Sequence, residues 1–537
     1  MNRTRNIFFL IVGLAIVLVI GGVIINNITG RAVNPGIIPT ATLAPTQAAS
    51  GQAEAIKSPD PLFAANYKSD DGKPVYICGT DAFASFLTLS QIQQGGLDIA
   101  HGFHLGIIPY QLPNRPEYAL TEEQSDALVA AGKWDCELNT LDAVATSDNG
   151  VVTAIVDESA GGDGMFARNI STINDLKGKR ITFITGSSSE YFMNYVLSIA
   201  RLNPKFDVTL VPADTPDEAI KLFNEGKADA VSAWEPQLSR AKQGGGIPLI
   251  TTSQLRIILD VVITSRKSIA ERPQVVQAFH DAWFDALKLQ AENFDVAAKQ
   301  IVDWGHNDWT EVRTPADLHS QLERIAQGDL GNNAFVMRDP TPLFNRLNIS
   351  RRVWATAGTQ STETKVEDLV DPRFVAAAAQ NTKLQPNGKL VNSSFSIGAK
   401  VDLSGAKINT QDAATLAVLP CRRFTFLPES TTLTLESRRI LDDCVVPTLQ
   451  QSVGLFLRVK GSSAWPGPKG TYTEQQISEF AQARAQSVVD YLAAQGVDKA
   501  RFVAEASLPP AAHRETEDAD LQAEDRFVEM TLITVGR

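Results

Sequence analysis

Cysteine and histidine are scarce in this chain, with four cysteines and six histidines among 537 residues. No two cysteines stand in a Cys-x-x-Cys spacing, which argues against a redox active site. His101 and His104 could share a helical face, but no third ligand follows at metal spacing, so the histidines read as structural and no metal or cofactor is implied. An excess of positive charge is missing as well. Lys and Arg total 49 against 61 Asp and Glu, a net charge of −12 without a basic stripe, which argues against nucleic acid as the main partner. Signals for N-terminal processing are also lacking. Arg3 and Arg5 precede an uncharged apolar run from Ile7 to Ile25, after which Asn26 and Asn27 follow directly, with no small-residue cleavage site and no cysteine for lipid attachment. That run is long enough to cross a bilayer core at the helical rise of about 1.5 Å per residue. It predicts an uncleaved single-pass anchor over residues 1–27, with the arginines inside and the bulk of the chain extracytoplasmic.

What is present describes an ordinary globular protein of two to four domains, 44% hydrophobic and 20% charged. Residues 28–72, rich in Ala, Thr, Pro, Gln and Gly, predict a flexible tether. The stretch Ser171 to Arg240 is the most informative. Its pattern predicts strand, small-residue loop, helix, strand, helix and strand, ending on Trp234-Glu235-Pro236. Gly186 breaks the first strand, and Ser187, Ser188 and Ser189 stand where a helix begins. They either cap that helix or, with its free N–H groups, cradle a polar ligand. Asn139, Thr140 and Asp142 face the same two readings, helix cap or ligand mouth. The acidic run Asp157-Glu158-Ser159-Ala160-Gly161-Gly162-Asp163 reads as a hinge loop. Its three carboxylates are either simply solvated or await a cationic or multi-donor ligand. Val275, Val276, Phe279, Trp283, Phe284 and Leu287 recur at helical spacing and read as core.

Asp175-Leu-Lys-Gly-Lys179, the Gly-Ser-Ser loop, Gly226-Lys-Ala-Asp-Ala230 and Trp234-Glu-Pro together resemble the second lobe of ABC-importer substrate-binding proteins of the nitrate, taurine and aliphatic-sulfonate group. The resemblance covers residues 73–380. It implies an α/β, two-lobed periplasmic-binding-protein type II fold, with lobe 1 at about 73–160 and 260–380 and lobe 2 at about 161–259. It also implies a non-enzymatic function, with a solute and a permease/ATPase pair as partners. The implied cleft residues are Thr80, Asn139, Thr140, Asp142, Asp157, Glu158, Asp163, Ser187, Ser188, Ser189, Trp234, Glu235 and Asp260. Within them the serines would take an anionic or carbonyl end of the solute, Trp234 a flat apolar part and Glu235 an amine. The number of acids favours an amine-bearing or zwitterionic solute over a bare anion. In such a fold the strands ending at Cys78 and Cys136 are neighbours, which pairs these two; Cys421 and Cys444 fall together in the last domain.

Residues 381–417 predict a second linker. Residues 418–537, with the order β-α-β-α-β-β, Ala483-Arg484-Ala485 on the second helix and Asp525-Arg526-Phe527 near the end, resemble a smaller α+β OmpA-like domain. The resemblance implies contact with peptidoglycan through Arg484 and Arg526. The chain departs from that family where Ala464 replaces the ligand-binding aspartate, and Ile477 and Phe527 replace two further polar residues. Two other functions remain open. One is a structural or sensory protein linking membrane to wall. The other is an enzyme resembling the pyrimidine synthases of the same fold, whose cysteine-rich motif this chain lacks.

Overall fold

Strand β1 (Val75–Thr80) opens the folded chain, followed by β2 (His104–Pro109), β3 (Cys136–Thr140) and β4 (Val151–Ser159). A short helix, α1 (Leu141–Thr146), lies between the last two. The chain then crosses to a second sheet built from β5 (Asp163–Ala167), β6 (Arg180–Ile184), β7 (Thr209–Ala213), β8 (Ala230–Trp234) and β9 (Ile247–Thr251), with α2 (Ser188–Ile199) after β6. It returns through β10 (Leu259–Thr264), α3 (Pro273–Glu292), β11 (Ile325–Gln327) and α4 (Thr341–Ala357). The structure is a computed structural model that describes residues 69–110, 118–304, 310–397, 413–452 and 454–534. All of these lie in one unit, Lys57–Arg537. The expected anchor at 1–27 lies outside the described residues, as does nearly all of the tether. Among the described residues no helix is long and apolar enough to cross a membrane.

The first sheet has the order β11-β4-β10-β3-β1-β2, and the second β7-β6-β8-β5-β9. In each, the strands nearest the crossover run antiparallel to their neighbours while the others pair in parallel. This is the two-lobed α/β arrangement that the resemblance implies. Lobe 1 buries the α3 residues Val275, Val276, Phe279, Trp283, Phe284 and Leu287 as its core, in keeping with their helical spacing. Helix α3 ends at Asn293, whose side chain accepts from the Val296 N–H and starts a second helix.

The crossover differs from the expected acidic loop. Asp157 and Glu158 lie within β4, paired to both β10 and β11. Only Ala160-Gly161-Gly162 remain between the two sheets, with Gly161 at φ 126°, a conformation that glycine adopts without strain. The returning segment is stitched to it: the Thr252 hydroxyl lies 2.8 Å from Ser159 Oγ and accepts from the Gly161 N–H at 2.9 Å.

The C-terminal part contains β12 (Ala414–Thr425), β13 (Phe456–Ser462), β14 (Trp465–Pro466), α5 (Glu474–Ala494), β15 (Phe502–Ser507), β16 (Arg514–Thr516) and β17 (Phe527–Thr534). Its main sheet has the order β12-β17-β13-β15. The first strand starts before the expected boundary at 418. Leu416 and Leu419 share a core with Ile173, Ile199 and Trp354, so this part is packed onto lobe 2. The Asn174 amide donates to the Val418 carbonyl at 3.0 Å and accepts from the Val418 N–H at 2.8 Å. The expected linker at 381–417 is not free where described. Leu384, Leu390, Phe395 and Ile397 are buried, and the Asn392 carbonyl accepts from Gln327 N–H at 2.8 Å. Both disulfides, Cys78–Cys136 and Cys421–Cys444, are formed.

Candidate functional site

A small cavity of about 30 Å³ lies where the two lobes face each other. Lobe 1 contributes Asp81, Phe83, Phe86, Glu122, Asn139, Thr140 and Asp260, and lobe 2 contributes Asp163, Ser187, Ser188, Trp234 and Ile258. Seven residues singled out from the sequence therefore meet here: Asn139, Thr140, Asp163, Ser187, Ser188, Trp234 and Asp260. They come from strand ends and helix starts because residues flanking a sheet's edge point into the gap between lobes. Sequence reasoning missed Asp81, Glu122, Phe83, Phe86 and Ile258. Asp81 had a detectable signal, being the acid next to a strand end, and its carboxylate caps the following turn by accepting from the Phe83 N–H at 2.9 Å.

Six expected ligand residues serve the fold instead. Thr80 Oγ donates to the Asp81 carbonyl at 3.0 Å. Asp142 accepts from the Trp354 indole N–H at 3.3 Å, tying α1 to α4. Asp157 accepts from the Ser85 hydroxyl behind the cavity wall. Glu158 is fully buried and accepts from Arg346 at 2.8 Å, Arg256 at 3.4 Å and the Ser396 N–H at 2.7 Å. Ser189 Oγ accepts from the Ile184 N–H at 2.9 Å. Glu235 pairs with Arg324 across the lobes and accepts from the Ser239 N–H at 3.0 Å, so it is not the free amine acceptor expected.

The serine loop is also less of an anion cradle than its composition suggests. Ser187 Oγ donates to the Ile184 carbonyl at 2.8 Å and accepts from the Ser189 N–H at 3.2 Å. Glu190, in the first turn of α2, accepts from the Gly186 N–H at 2.8 Å and sets a carboxylate where an anion would sit. Asn139 is similarly committed, donating to Glu122 at 3.1 Å and accepting from the Thr140 N–H at 2.7 Å.

The electrostatics of the cleft follow from burial. Burial pushes Asp81 up to about 6 and Asp142 to about 6. It also raises Asp157 and Asp163 to about 7, with neighbouring acids adding to the shift. Asp260 is raised well above the carboxylate range, first by burial and then by repulsion from Asp157 and Asp163. Among the described residues, no arginine, lysine or histidine lines the cavity, and no cluster of potential ligands could hold a metal ion.

In the C-terminal part, Arg484 is buried and donates to three main-chain carbonyls, those of Ser430 at 3.0 Å, Ser462 at 2.9 Å and Leu427 at 3.3 Å. Burial, with Arg526 adding to it, lowers its pKa to about 10. It sits over the rings of Phe426 and Phe480. The sequence reading of Arg484 as a wall contact is therefore corrected to a structural role, because its donors are used inside the fold. Arg484→Met is expected to cost about 2 kcal/mol by stranding those carbonyls, measured by urea unfolding of residues 58–537. Arg526 is partly buried beside it.

Residues 122–295 match the family model described as "NMT1/THI5 like". The chain carries an NMT1/THI5-like domain. That domain includes residues from both walls of the cleft, among them Glu122, Ser187 and Asp260, while Asp81, Phe83 and Phe86 precede it. It is similar to two curated proteins, each named "Putative aliphatic sulfonates-binding protein". One, from Bacillus subtilis (strain 168), is 31% identical over 163 residues, 30% of this chain and 48% of the relative. The other, from Escherichia coli (strain K12), is 36% identical over 81 residues, 15% of this chain and 25% of the relative. The chain thus spans about half or less of the length of these relatives. Among solved structures, the periplasmic nitrate-binding protein NrtA from Synechocystis PCC 6803 is 12% identical with a TM-score of 0.45, covering 58% of this chain and 90% of that one.

Proposed function

We propose that the protein is an extracytoplasmic solute-binding component that captures a small polar solute, amine-bearing or zwitterionic, for an ABC importer. The observation that carries this reading is the cavity itself, lined by facing walls of two lobes between which the chain crosses at Gly161 and Thr252. Closure about that hinge would bury the solute between strand ends and helix starts. Two ion pairs, Glu235 with Arg324 and Arg240 with Glu311, join the lobes at the rim and would favour the closed state. Both disulfides suit an oxidising compartment outside the cytoplasm. The similarity to sulfonates-binding proteins supports the solute-binding role. The acidic lining supports a different solute charge. The apolar run Ile7 to Ile25 would hold the protein to the membrane as a single-pass anchor.

Thermal-shift screening of residues 58–537 against amines, sulfonates, pyrimidines and simple oxyanions tests this. A ligand at about one hundred times its Kd should stabilise the protein by about 2.7 kcal/mol. Stabilisation by oxyanions alone would contradict the reading.

A wall-linking role through an OmpA-like C-terminal domain is a second reading, favoured by the α+β make-up of residues 414–534, whose main-sheet strands β12, β13, β15 and β17 alternate with helices. Ala464 and the internal bonds of Arg484 would leave Arg526 as the remaining candidate contact. A pull-down on purified peptidoglycan separates this reading from transport alone. It should use residues 58–537 rather than a fragment starting at 418, which would cut β12 and expose the core shared with lobe 2. Retention lost on Arg526→Ala would support the wall contact, and no retention of the unaltered protein would dismiss it.

A further inference from the structure

Carboxylates from three strands converge at the floor of the cleft. Asp157 on β4 and Asp260 on β10 are direct cross-strand partners, and Thr140 stands opposite Asp260 on its other side. Asp163 opens β5, opposite Trp234. These three acids are at most 2% exposed. One oxygen of Asp157 and Oδ2 of Asp163 are buried without a hydrogen-bond partner, and Asp163 lines the cavity. Like charges directly opposite in a sheet repel, so this arrangement calls for something positive.

The charged groups around the cluster do not supply it. Asp81 and Glu122 line the same cavity, and Asp142 on α1 and Glu190 on α2 are acidic as well. Arg256 and Arg346 bind Glu158 on the far side of β4, and Arg324 is engaged by Glu235. Phe83 and Phe86, edge to face with ring centroids 5.7 Å apart, and Trp234 from the other lobe supply apolar and π surface.

We infer that the cleft takes a compact organic cation that bears N–H donors and no acidic group, and that its binding expels a proton held among Asp157, Asp163 and Asp260. This rests on the solute-binding reading above and narrows it. An ammonium group would donate to the buried Asp163 Oδ2, and its carbon skeleton would lie against Phe83, Phe86 and Trp234. An anionic group would meet Glu190 and the acidic floor. The exchange needs no covalent change: the protonated amine enters as it is, one carboxylic acid ionises, and one proton leaves to solvent.

Its pH dependence follows from the buried acids. Their pKa values are raised in the folded protein, Asp157 and Asp163 to about 7. In the unliganded cleft they therefore contribute stability that is fully present below their unfolded values near 4 and is lost as pH rises through about 7. Cation binding requires the ionised form, so affinity rises with pH over that same interval.

Calorimetric titration of residues 58–537 with n-butylamine, phenethylamine, phenylalanine and butanesulfonate tests the inference. The amines should bind, with Kd weakening about tenfold per pH unit from pH 7 to 5. Titrations in buffers of different ionisation enthalpy should show release of roughly one proton. Asp163→Asn and Asp260→Asn keep shape while removing like charge. Each should remain folded and weaken amine binding roughly tenfold or more. Phenylalanine binding in preference to phenethylamine would overturn the cation class and leave the solute-binding reading standing. Binding of butanesulfonate alone would overturn both. Amine binding without proton release, or no binding of any probe, would overturn this inference.

Discussion

Replacing Glu158 by alanine should lower the stability of the two-lobed unit by about 3–5 kcal/mol. Glu158 is fully buried and is the shared acceptor for Arg256, Arg346 and Ser396. Removing it leaves two largely buried guanidinium groups without their counter-charge, which costs far more than the pair contributes when intact. The loss would appear as a lower urea midpoint. The same substitution should loosen residues 392–397, since Ser396 donates to Glu158 through both its N–H and its hydroxyl. Faster amide exchange in that segment would register it. Glu235→Ala is the matching control. Its pair with Arg324 is partly exposed, so that loss should stay below about 1 kcal/mol. Equal losses for the two variants would show that the buried hinge network does not carry the stability assigned to it.

Serine at both Cys78 and Cys136 should cost about 4 kcal/mol, because the bond closes a 58-residue loop and its removal frees the unfolded chain. The Cys421–Cys444 bond closes only 23 residues and should be worth about 3 kcal/mol. Thermal unfolding of the two double variants, with and without reductant, checks this ordering. Unchanged unfolding of the unaltered protein on reduction would contradict it. The Cys78–Cys136 bond also joins β1 to β3, whose ends carry Asp81 and Asn139 to the cleft. Its loss should therefore weaken ligand capture as well as stability.

The α/β character of the two lobes was legible because its signals are local. A β-branched run broken by Gly186, serines before a helix, and apolar residues at helical spacing in α3 each report their own neighbourhood. The cleft was legible only in part. Asn139, Thr140, Asp163, Ser187, Ser188, Trp234 and Asp260 reach the cavity, and their positions at the ends of strands or starts of helices were visible in the pattern. Glu122 was not visible, since it sits 17 residues before Asn139 and meets it only through the packing of its helix.

By itself the sequence determined, through the motifs that carry the resemblance, a two-lobed α/β arrangement, and the two mixed sheets agree with it. Hydrophobic periodicity and turn residues act over a few positions and survive in any context. Which acids bind a ligand and which hold the fold was decided only by tertiary packing. Glu158 and Asp163, five positions apart in one acidic run, differ because two arginines from distant segments reach the first and none reaches the second. A carboxylate's role depends on the charges brought within a few ångströms of it, and those came from residues about 100 and 190 positions away.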